Sequence, residues 1–158
     1  MKVLFLDIDS VLNTSKTPTR QDAAGHLLAM DPYKVFMVNN AVDKYGWQVV
    51  LSSDWRHMPD WEETMKANGL VFKFLGRTPN YGSLGLSEEE DAKANVGRLC
   101  RGYEIKVWMD AHPEVEKYAI LDDTDEFLTE QRGSFFQTDY KVGLTEELME
   151  RVVKHLEG

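Results

Sequence analysis

Short apolar runs alternate along the chain with segments whose apolar residues recur at helical spacing. The apolar runs predict strands at residues 2–7, 47–52, 70–75 and 118–122, with a shorter one at 135–138. The centre of the second run, Val49-Val50-Leu51, is apolar on both faces, which is typical of a parallel strand covered on both sides. The pattern therefore predicts a buried sheet of mostly parallel strands.

The clearest helix prediction begins at Asp31, an N-cap residue that is followed by Pro32 at the first helical position. Apolar residues at helical spacing follow, and Gly46 is expected to end the helix. Further helices are predicted at residues 60–68, 87–99 and 101–111, and from Thr145 towards the C-terminus. Residues 13–30 are polar and irregular, and they are too few to form a separate cap domain.

This alternation predicts an α/β fold with a doubly wound, mostly parallel sheet, built by residues 1–158 as a single domain. In such sheets the ligand lies outside the carboxyl ends of the strands. Polar residues that directly follow a predicted strand are therefore the candidates for a functional site.

Three of the predicted strands end in chemically distinctive residues. The first ends in two carboxylates, which would repel each other unless a cation or a proton lies between them. The second ends in hydroxyl side chains, and the fourth in another acid pair. With the arginine that begins the helix before the fourth strand, the candidates are Asp7, Asp9, Ser52, Ser53, Arg101, Asp122 and Asp123.

Phosphoryl transfer requires this combination of groups. One carboxylate can attack phosphorus and form an acyl-phosphate, and a second can protonate the leaving oxygen and later deprotonate water. Mg²⁺ takes hard oxygen ligands and neutralises the repulsion between the nucleophile and the phosphate. A hydroxyl and a fixed cation can hold the remaining phosphoryl oxygens.

Residues 7–12 (DIDSVL) resemble the first motif of the haloacid dehalogenase (HAD) superfamily of phosphatases. Residues 50–53 (VLSS) are similar to its second motif and residues 120–123 (ILDD) to its fourth. Residues 101–123 resemble a narrower branch, the small HAD domains of Swiss-army-knife RNA repair proteins, and more distantly the phosphatase domains of polynucleotide kinase–phosphatases. The resemblance implies a Rossmann-like HAD core with little or no cap domain.

The resemblance also implies a role for each residue of the first two motifs. Asp7 would be the nucleophile and a metal ligand. Asp9 would be the general acid/base, and its backbone carbonyl would bind Mg²⁺; the dehalogenases lack this second Asp, so its presence favours phosphate-ester hydrolysis. Ser52, with Ser53 beside it, would bind the phosphoryl group. Ser10 departs from the family, which usually has glycine there, and this change can alter the local turn.

For the remaining motifs, the resemblance implies that Asp122 and Asp123 hold the Mg²⁺ ion. One of them would bind the ion directly, and the other directly or through a water molecule. Arg101 stands at the third-motif position, where most of the family has lysine. Arginine can bind phosphate in a bidentate manner, but Lys106 and Lys117 are alternatives for the same role.

Two residues after the second motif are candidates for substrate contacts. Trp55 could stack on a nucleobase, and Arg56 could reach a phosphate. The alternative, a packed tryptophan beside a surface arginine, explains the same two residues equally well.

Composition limits the partners and the location of the protein. The net charge of -9 excludes binding to nucleic acid by bulk electrostatics, so a phosphate-bearing partner would need a local basic patch. No apolar run approaches the roughly 20 residues that span a bilayer, and the N-terminus does not resemble a signal peptide. The one cysteine, Cys100, allows no internal disulfide and favours a reducing compartment. We expect a cytoplasmic protein, and no partner protein is evident.

The leading hypothesis is a Mg²⁺-dependent phosphomonoester hydrolase that acts through an aspartyl-phosphate. Because no lid would enclose a small metabolite, a nucleotide or the terminal phosphate of a nucleic acid is the expected substrate. One alternative is a catalytically degenerate HAD domain that only binds a partner. A receiver-type phospho-acceptor domain is less well supported, because its adjacent acid pair follows the first strand, whereas here that pair is the last one.

Overall fold

Within the described residues, 1–80 and 99–158, a computed structural model shows a central sheet of five strands. From edge to edge they are β5 (Gly76–Arg77), β4 (Gln48–Leu51), β1 (Lys2–Leu6), β6 (Lys117–Asp122) and β7 (Phe135–Gln137). Every neighbouring pair is parallel. This arrangement confirms the predicted α/β fold, with the first strand at the centre of a parallel sheet.

Helices cover both faces of the sheet. In the described part of the chain they are α1 (Pro32–Tyr45), α2 (Trp61–Ala67), α3 (Cys100–Asp110) and α4 (Glu146–Glu157). The caps of α1 are those that the sequence predicts: the Asp31 side chain accepts a hydrogen bond from the Tyr33 N–H at 2.9 Å, and Gly46 ends the helix in the left-handed conformation, with φ of 69°. The helix predicted at residues 87–99 lies outside the described residues, apart from its last position.

Alternation along β1 divides the core into two layers. Leu4 and Leu6 belong to the larger apolar cluster, which α1, α2 and α4 cover, whereas Val3 and Phe5 face α3. On that second face, the ring of Trp108 meets the ring of Phe5 edge-on, with centroids 5.3 Å apart. The sheet is therefore doubly wound. None of the described helices is both long and apolar enough to span a bilayer.

The strand predicted at residues 70–75 is wrong. Leu70 and Phe74 are buried, but Val71 is 80% exposed, and regular pairing with β4 begins only at Gly76. The apolar residues of this segment are buried by side-chain packing instead, since Phe74 meets the ring of Trp61 edge-on at 5.6 Å. The apolar run thus marks a segment that packs on α2, just before a strand of two residues.

Residues 13–30 are not wholly irregular, as the sequence suggested, because they contain a small antiparallel hairpin. Its strands are β2 (Arg20–Gln21) and β3 (Leu27–Leu28). Asp22 organises the turn: its carboxylate accepts the His26 N–H at 2.8 Å and contacts the His26 ring at 3.0 Å. Between β1 and α1 the strands are only those of this hairpin, so no cap domain is built at that position.

Candidate active site at the carboxyl edge of the sheet

The parallel register places three strand-end residues in one row. Leu6 at the end of β1 pairs with Leu51 on β4 and with Leu121 on β6. The residues that follow these three are Asp7, Ser52 and Asp122. Backbone bonding continues into the row, because the N–H of Asp7 donates to a β6 carbonyl at 3.0 Å and that of Ser52 donates to a β1 carbonyl at 2.9 Å. The sheet therefore holds the three side chains next to one another.

Three carboxylates form a cluster that can hold a cation. Asp7, Asp122 and Asp123 each offer one oxygen, and these oxygens all lie within 4.8 Å of one another. One oxygen of Asp122 accepts the N–H and the hydroxyl of Thr124, both at 2.9 Å. Its other oxygen is buried and has no hydrogen-bond partner within the described residues. The donor set, hard oxygens with one unpaired and buried, fits a divalent cation such as Mg²⁺.

The ionisation of the cluster supports the same interpretation. Burial raises the pKa of the Asp7 carboxyl well above its usual value, and the neighbouring charge of Asp122 raises it further. Burial also raises the pKa of Asp122 to about 6, against the opposing effects of the Thr124 hydrogen bonds and the Arg101 charge. Because both carboxylates resist ionisation without a counter-charge, a bound cation would favour their charged forms.

Beside the carboxylates lie hydrogen-bond donors without acceptors. Ser52 Oγ and the Nε and Nη1 atoms of Arg101 are buried and have no hydrogen-bond partner among the described residues. The nearest acids to Arg101 are Asp122, 3.7 Å from Nε, and Asp54, 3.6 Å from Nη2. An unsatisfied buried polar group costs about 1–3 kcal/mol, so these donors are best explained by an anionic ligand that accepts from them.

The two lysines considered in place of Arg101 lie elsewhere. Lys106 is exposed on α3 and pairs with Asp110 at 3.1 Å. Lys117 begins β6, so it lies at the amino edge of the sheet, where its ammonium donates to the carbonyl of Gly158 at 3.4 Å. Of the three candidates, Arg101, in the first turn of α3, is the one that lies at the carboxyl edge, 3.7 Å from Asp122.

Asp9 lies on the loop just beyond the row, and its side chain is exposed. Two donors hold one of its oxygens: Oδ1 accepts the indole N–H of Trp55 at 2.9 Å and the side-chain amide of Asn13 at 3.1 Å. Ser10, the next residue, has φ of 64°. This left-handed conformation explains why a glycine would suit the position, and the serine preserves the turn.

Comparison with known proteins decides the family. The model of the HAD domain in Swiss Army Knife RNA repair proteins matches residues 3–149. The chain belongs to this family. A solved structure described as a HAD superfamily (subfamily III A) hydrolase from Legionella pneumophila also aligns, at 12% identity and a TM-score of 0.48, over 99% of this chain and 84% of that one. No curated protein matches the sequence.

Two residues that follow the second HAD motif are buried, whereas the substrate contacts considered from the sequence need exposed side chains. Trp55 is 5% exposed, so neither face of its ring is open to a nucleobase. Arg56 is 3% exposed, and its guanidinium donates to the Ser53 carbonyl at 2.8 Å and to Glu104 at 2.6 Å. The short 3₁₀ helix Asp54–His57 turns both side chains inward, which the sequence does not reveal.

Ser53 also has a local partner. Its hydroxyl caps the 3₁₀ helix by accepting the Trp55 N–H at 3.3 Å, and its side chain is buried. Of the two serines in the second HAD motif, Ser52 therefore has the unpaired hydroxyl.

Sequence reasoning missed three residues that contact the HAD motif residues. Asn13 donates to Asp9, Thr124 donates to Asp122, and Asp54 forms an ion pair with Arg101. The first two follow their partners by four and by two residues, respectively, which is the short range over which a carboxylate accepts from its own loop. Asp54 gave no such signal, because its partner lies on another element.

Proposed function

We propose that this HAD-family chain is a Mg²⁺-dependent phosphomonoester hydrolase. The observation that carries the proposal is a cluster of three cation ligands, Asp7, Asp122 and Asp123, beside the donors Ser52 and Arg101, which have unpaired atoms within the described residues. A phosphoryl group satisfies both sets at once, because its oxygens bind a cation and accept hydrogen bonds.

The proposed reaction uses Asp7 as the nucleophile. One of its oxygens accepts the N–H of Ile8 at 2.8 Å, and the other is the attacking atom. A bond forms between that oxygen and phosphorus while the ester bond breaks, and Asp9 gives its proton to the leaving oxygen. Water then attacks the aspartyl-phosphate, Asp9 takes up a proton, and phosphate leaves.

The other residues act on charge and orientation. Ser52 and Arg101 donate to the phosphoryl oxygens, which hold more negative charge as the reaction proceeds. Mg²⁺, bound by Asp7, Asp122 and Asp123, would neutralise the repulsion between the nucleophile and the phosphate. Asp54 is exposed and pairs with Arg101, and this pair helps to keep the guanidinium on the side of the phosphate.

The first prediction concerns Asp7. Asp7→Asn removes the nucleophile with little change in volume, so Mg²⁺-dependent hydrolysis of p-nitrophenyl phosphate should fall by about 1000-fold or more. Asp110→Asn, the same change on the exposed surface of α3, is the matched control and should keep wild-type turnover. The proposal would be refuted if the wild-type protein kept its turnover in EDTA, or if Asp7→Asn turned over as fast as wild type. A wild-type protein that binds phosphate but hydrolyses no ester would favour the degenerate binding domain.

For the substrate, we propose the terminal phosphate of a nucleic acid. The family match names RNA repair proteins, and between β1 and α1 the strands are only those of a hairpin, so no cap domain at that position would block a long molecule. A cleft of about 480 Å³ lies beside the loop that follows Asp9, and its lining includes Thr14, Lys16, Lys34 and Lys141.

The charge of this lysine cleft suits a phosphodiester. Within the described residues, one ion pair lies in this cleft, between Lys34 and Asp31 at 3.8 Å. Lys16 and Lys141 have no acidic partner among those residues. The ammonium of Lys34 also donates to the carbonyl of Leu144 at 3.2 Å, and the N–H of Leu144 donates to Val11 on the loop that follows Asp9. Because a general acid stands on the side of the leaving group, the rest of the substrate would extend past Asp9 towards this cleft.

The second prediction tests the cleft. Lys16→Ala/Lys141→Ala should raise KM for a phosphorylated oligonucleotide by about 10-fold and reduce the slope of log KM against log salt by about 1.4, since each single-strand phosphate contact contributes about 0.7. Turnover of p-nitrophenyl phosphate should not change, nor should any parameter of Lys106→Ala/Lys154→Ala, which removes two lysines outside the cleft. If oligonucleotides react no better than sugar phosphates in wild type, the substrate class is wrong although the phosphatase reaction stands.

A further inference from the structure

The hydrogen bonds to Asp9 single out Trp55 among the residues near the site. An exposed carboxylate normally samples several side-chain orientations, and a general acid must lie within hydrogen-bond reach of the atom that it protonates. The Asp9 carboxylate is exposed, yet Oδ1 has two donors, the Trp55 indole at 2.9 Å and the Asn13 amide at 3.1 Å. Neither donor is charged, so the contacts fix direction without neutralising the acid.

Trp55 is itself held firmly. Its backbone N–H is capped by Ser53, and its carbonyl accepts the N–H of Met58 at 3.2 Å. The next residue, Arg56, anchors the same 3₁₀ helix through its buried ion pair with Glu104 on α3, at 2.6 Å. The indole therefore presents its N–H to Asp9 from a rigid support that also holds the second motif.

Asn13 completes the arrangement from the loop side. Its amide group donates to Asp9 and to the Ala29 carbonyl at 2.9 Å, while its own oxygen accepts the N–H of Ser10 at 2.9 Å. Both ends of the Asn13 side chain are thus occupied, which fixes its orientation. Asp9 is held between this loop and the 3₁₀ helix.

We propose that Trp55 is a positioning residue for proton transfer: with Asn13 it occupies Oδ1 of Asp9 and leaves Oδ2 as the atom that carries the proton to the leaving group. Since two N–H groups point at Oδ1, a proton on that atom would face two donors, whereas no donor from the described residues is bonded to Oδ2. In the step concerned, the ester P–O bond breaks, its electron pair remains on the leaving oxygen, and that oxygen takes the proton from Oδ2. This inference rests on the proposed phosphatase reaction.

The consequence can be measured through the leaving group. A poor leaving group, such as an alkyl alcohol, needs the proton as the bond breaks, whereas p-nitrophenolate leaves with little help. The value of kcat/KM reports the steps up to release of the leaving group, so it isolates the donation of the proton by Asp9 from the later attack of water. Misplacement of Asp9 should therefore steepen the dependence of log kcat/KM on the pKa of the leaving alcohol.

The experiment is Trp55→Phe, which removes the indole N–H and keeps an aromatic ring. With Mg²⁺ and a series from p-nitrophenyl through phenyl to alkyl phosphates, we expect kcat/KM to fall by about 3-fold for the first and about 30-fold or more for the last, within the range that general acids contribute. Asn13→Asp keeps the acceptor for the Ser10 N–H and replaces the amide that donates to Asp9 by a second negative charge. It should also steepen the dependence of log kcat/KM on the leaving-group pKa. This variant tests the inference if Trp55→Phe does not fold.

Trp47→Phe is the matched control. Trp47 is also buried and also donates its indole N–H to a carboxylate, Glu157, at 2.9 Å, but it precedes β4 at the opposite edge of the sheet. It should lose comparable stability and keep the wild-type slope. The inference would be overturned if Trp55→Phe lost the same activity on every substrate of the series, or if the slope were unchanged in both Trp55→Phe and Asn13→Asp. The phosphatase reaction is tested separately, by wild-type turnover and its loss in Asp7→Asn.

Discussion

At the scale of single residues, the loop after β1 depends on the backbone of Ser10. Its φ of 64° turns the chain back directly after Asp9. The N–H of Ser10 donates to Asn13 at 2.9 Å, and its carbonyl accepts the Thr138 hydroxyl at 2.7 Å. The turn thereby returns Asn13 to the carboxylate of Asp9. A residue with a side chain is strained in this conformation, by about 1–2 kcal/mol.

Replacement of Ser10 by glycine should therefore stabilise the protein. Relief of strain of about 1–2 kcal/mol exceeds the entropic cost of a glycine, about 0.5–1 kcal/mol, so we expect a net gain of about 0.5–1 kcal/mol in the free energy of unfolding. Urea denaturation with EDTA present measures it. Ser15→Gly, in the same loop but without positive φ, should be neutral or destabilising. A Ser10→Gly protein less stable than wild type would show that the strain is absent.

The proximity of Asp7, Ser52 and Asp122 could be predicted from the sequence, whereas the orientations of Trp55 and Arg56 could not. Asp7, Ser52 and Asp122 follow strands whose apolar pattern is unambiguous, and parallel register then places them in one row. Trp55 and Arg56 differ because their partners, Asp9 and Glu104, come from other elements. A contact between residues 46 or 48 positions apart leaves no periodic signal in the chain.

At the scale of elements, burial on two faces decided which predictions were reliable. The strands β1, β4 and β6 are apolar on both faces and lie at the centre of the sheet. At the margin, the apolar run over residues 70–75 indicated a strand, yet that segment bonds to β4 only at its end, because packing on Trp61 already buries Phe74. A short apolar run shows that a segment is partly buried, and it does not show what covers the segment.

The 3₁₀ helix Asp54–His57 and helix α3 work as one unit beside the site. The ion pair between Arg56 and Glu104 joins them at 2.6 Å, and a second pair joins Asp54 to Arg101 at 3.6 Å. Helix α3 supplies Arg101, while the 3₁₀ helix supplies Trp55 and begins two residues after Ser52. The proposed phosphate donors and the residue that contacts Asp9 are therefore held by two elements that are fixed to each other.

At the scale of the whole molecule, the sheet places carboxylates in a buried position, where a negative charge is costly. The chain carries a net charge of -9, and the central strands bring Asp7 and Asp122 together in a buried row. Repulsion and burial oppose the ionisation of both groups. The fold of the protein should therefore be coupled to the binding of a divalent cation, and the strength of that coupling should depend on pH.

The sign of the coupling follows from Asp122, whose folded-state pKa is about 6 against an ordinary value of 3.8. A raised pKa means that the folded state binds the Asp122 proton more tightly than the unfolded state does. The proton therefore stabilises the fold fully below about pH 3.8, and this stabilisation is lost as the pH rises to about 6. The loss is of the order of 3 kcal/mol for this group. Above that pH, a bound Mg²⁺ would take the place of the proton and restore stability.

We therefore expect the stability added by Mg²⁺ to be large at about pH 7.5 and small at about pH 5, where protons compete for the same oxygens. Urea denaturation with MgCl₂ or with EDTA at the two pH values measures the difference. Asp122→Asn, neutral at both, should lose the Mg²⁺ increment and be at least as stable as wild type in EDTA at the higher pH, because the buried charge has gone. Asp110→Asn should match wild type throughout. An Mg²⁺ increment of equal size at both pH values would mean that Asp122 is not a ligand whose ionisation the metal drives.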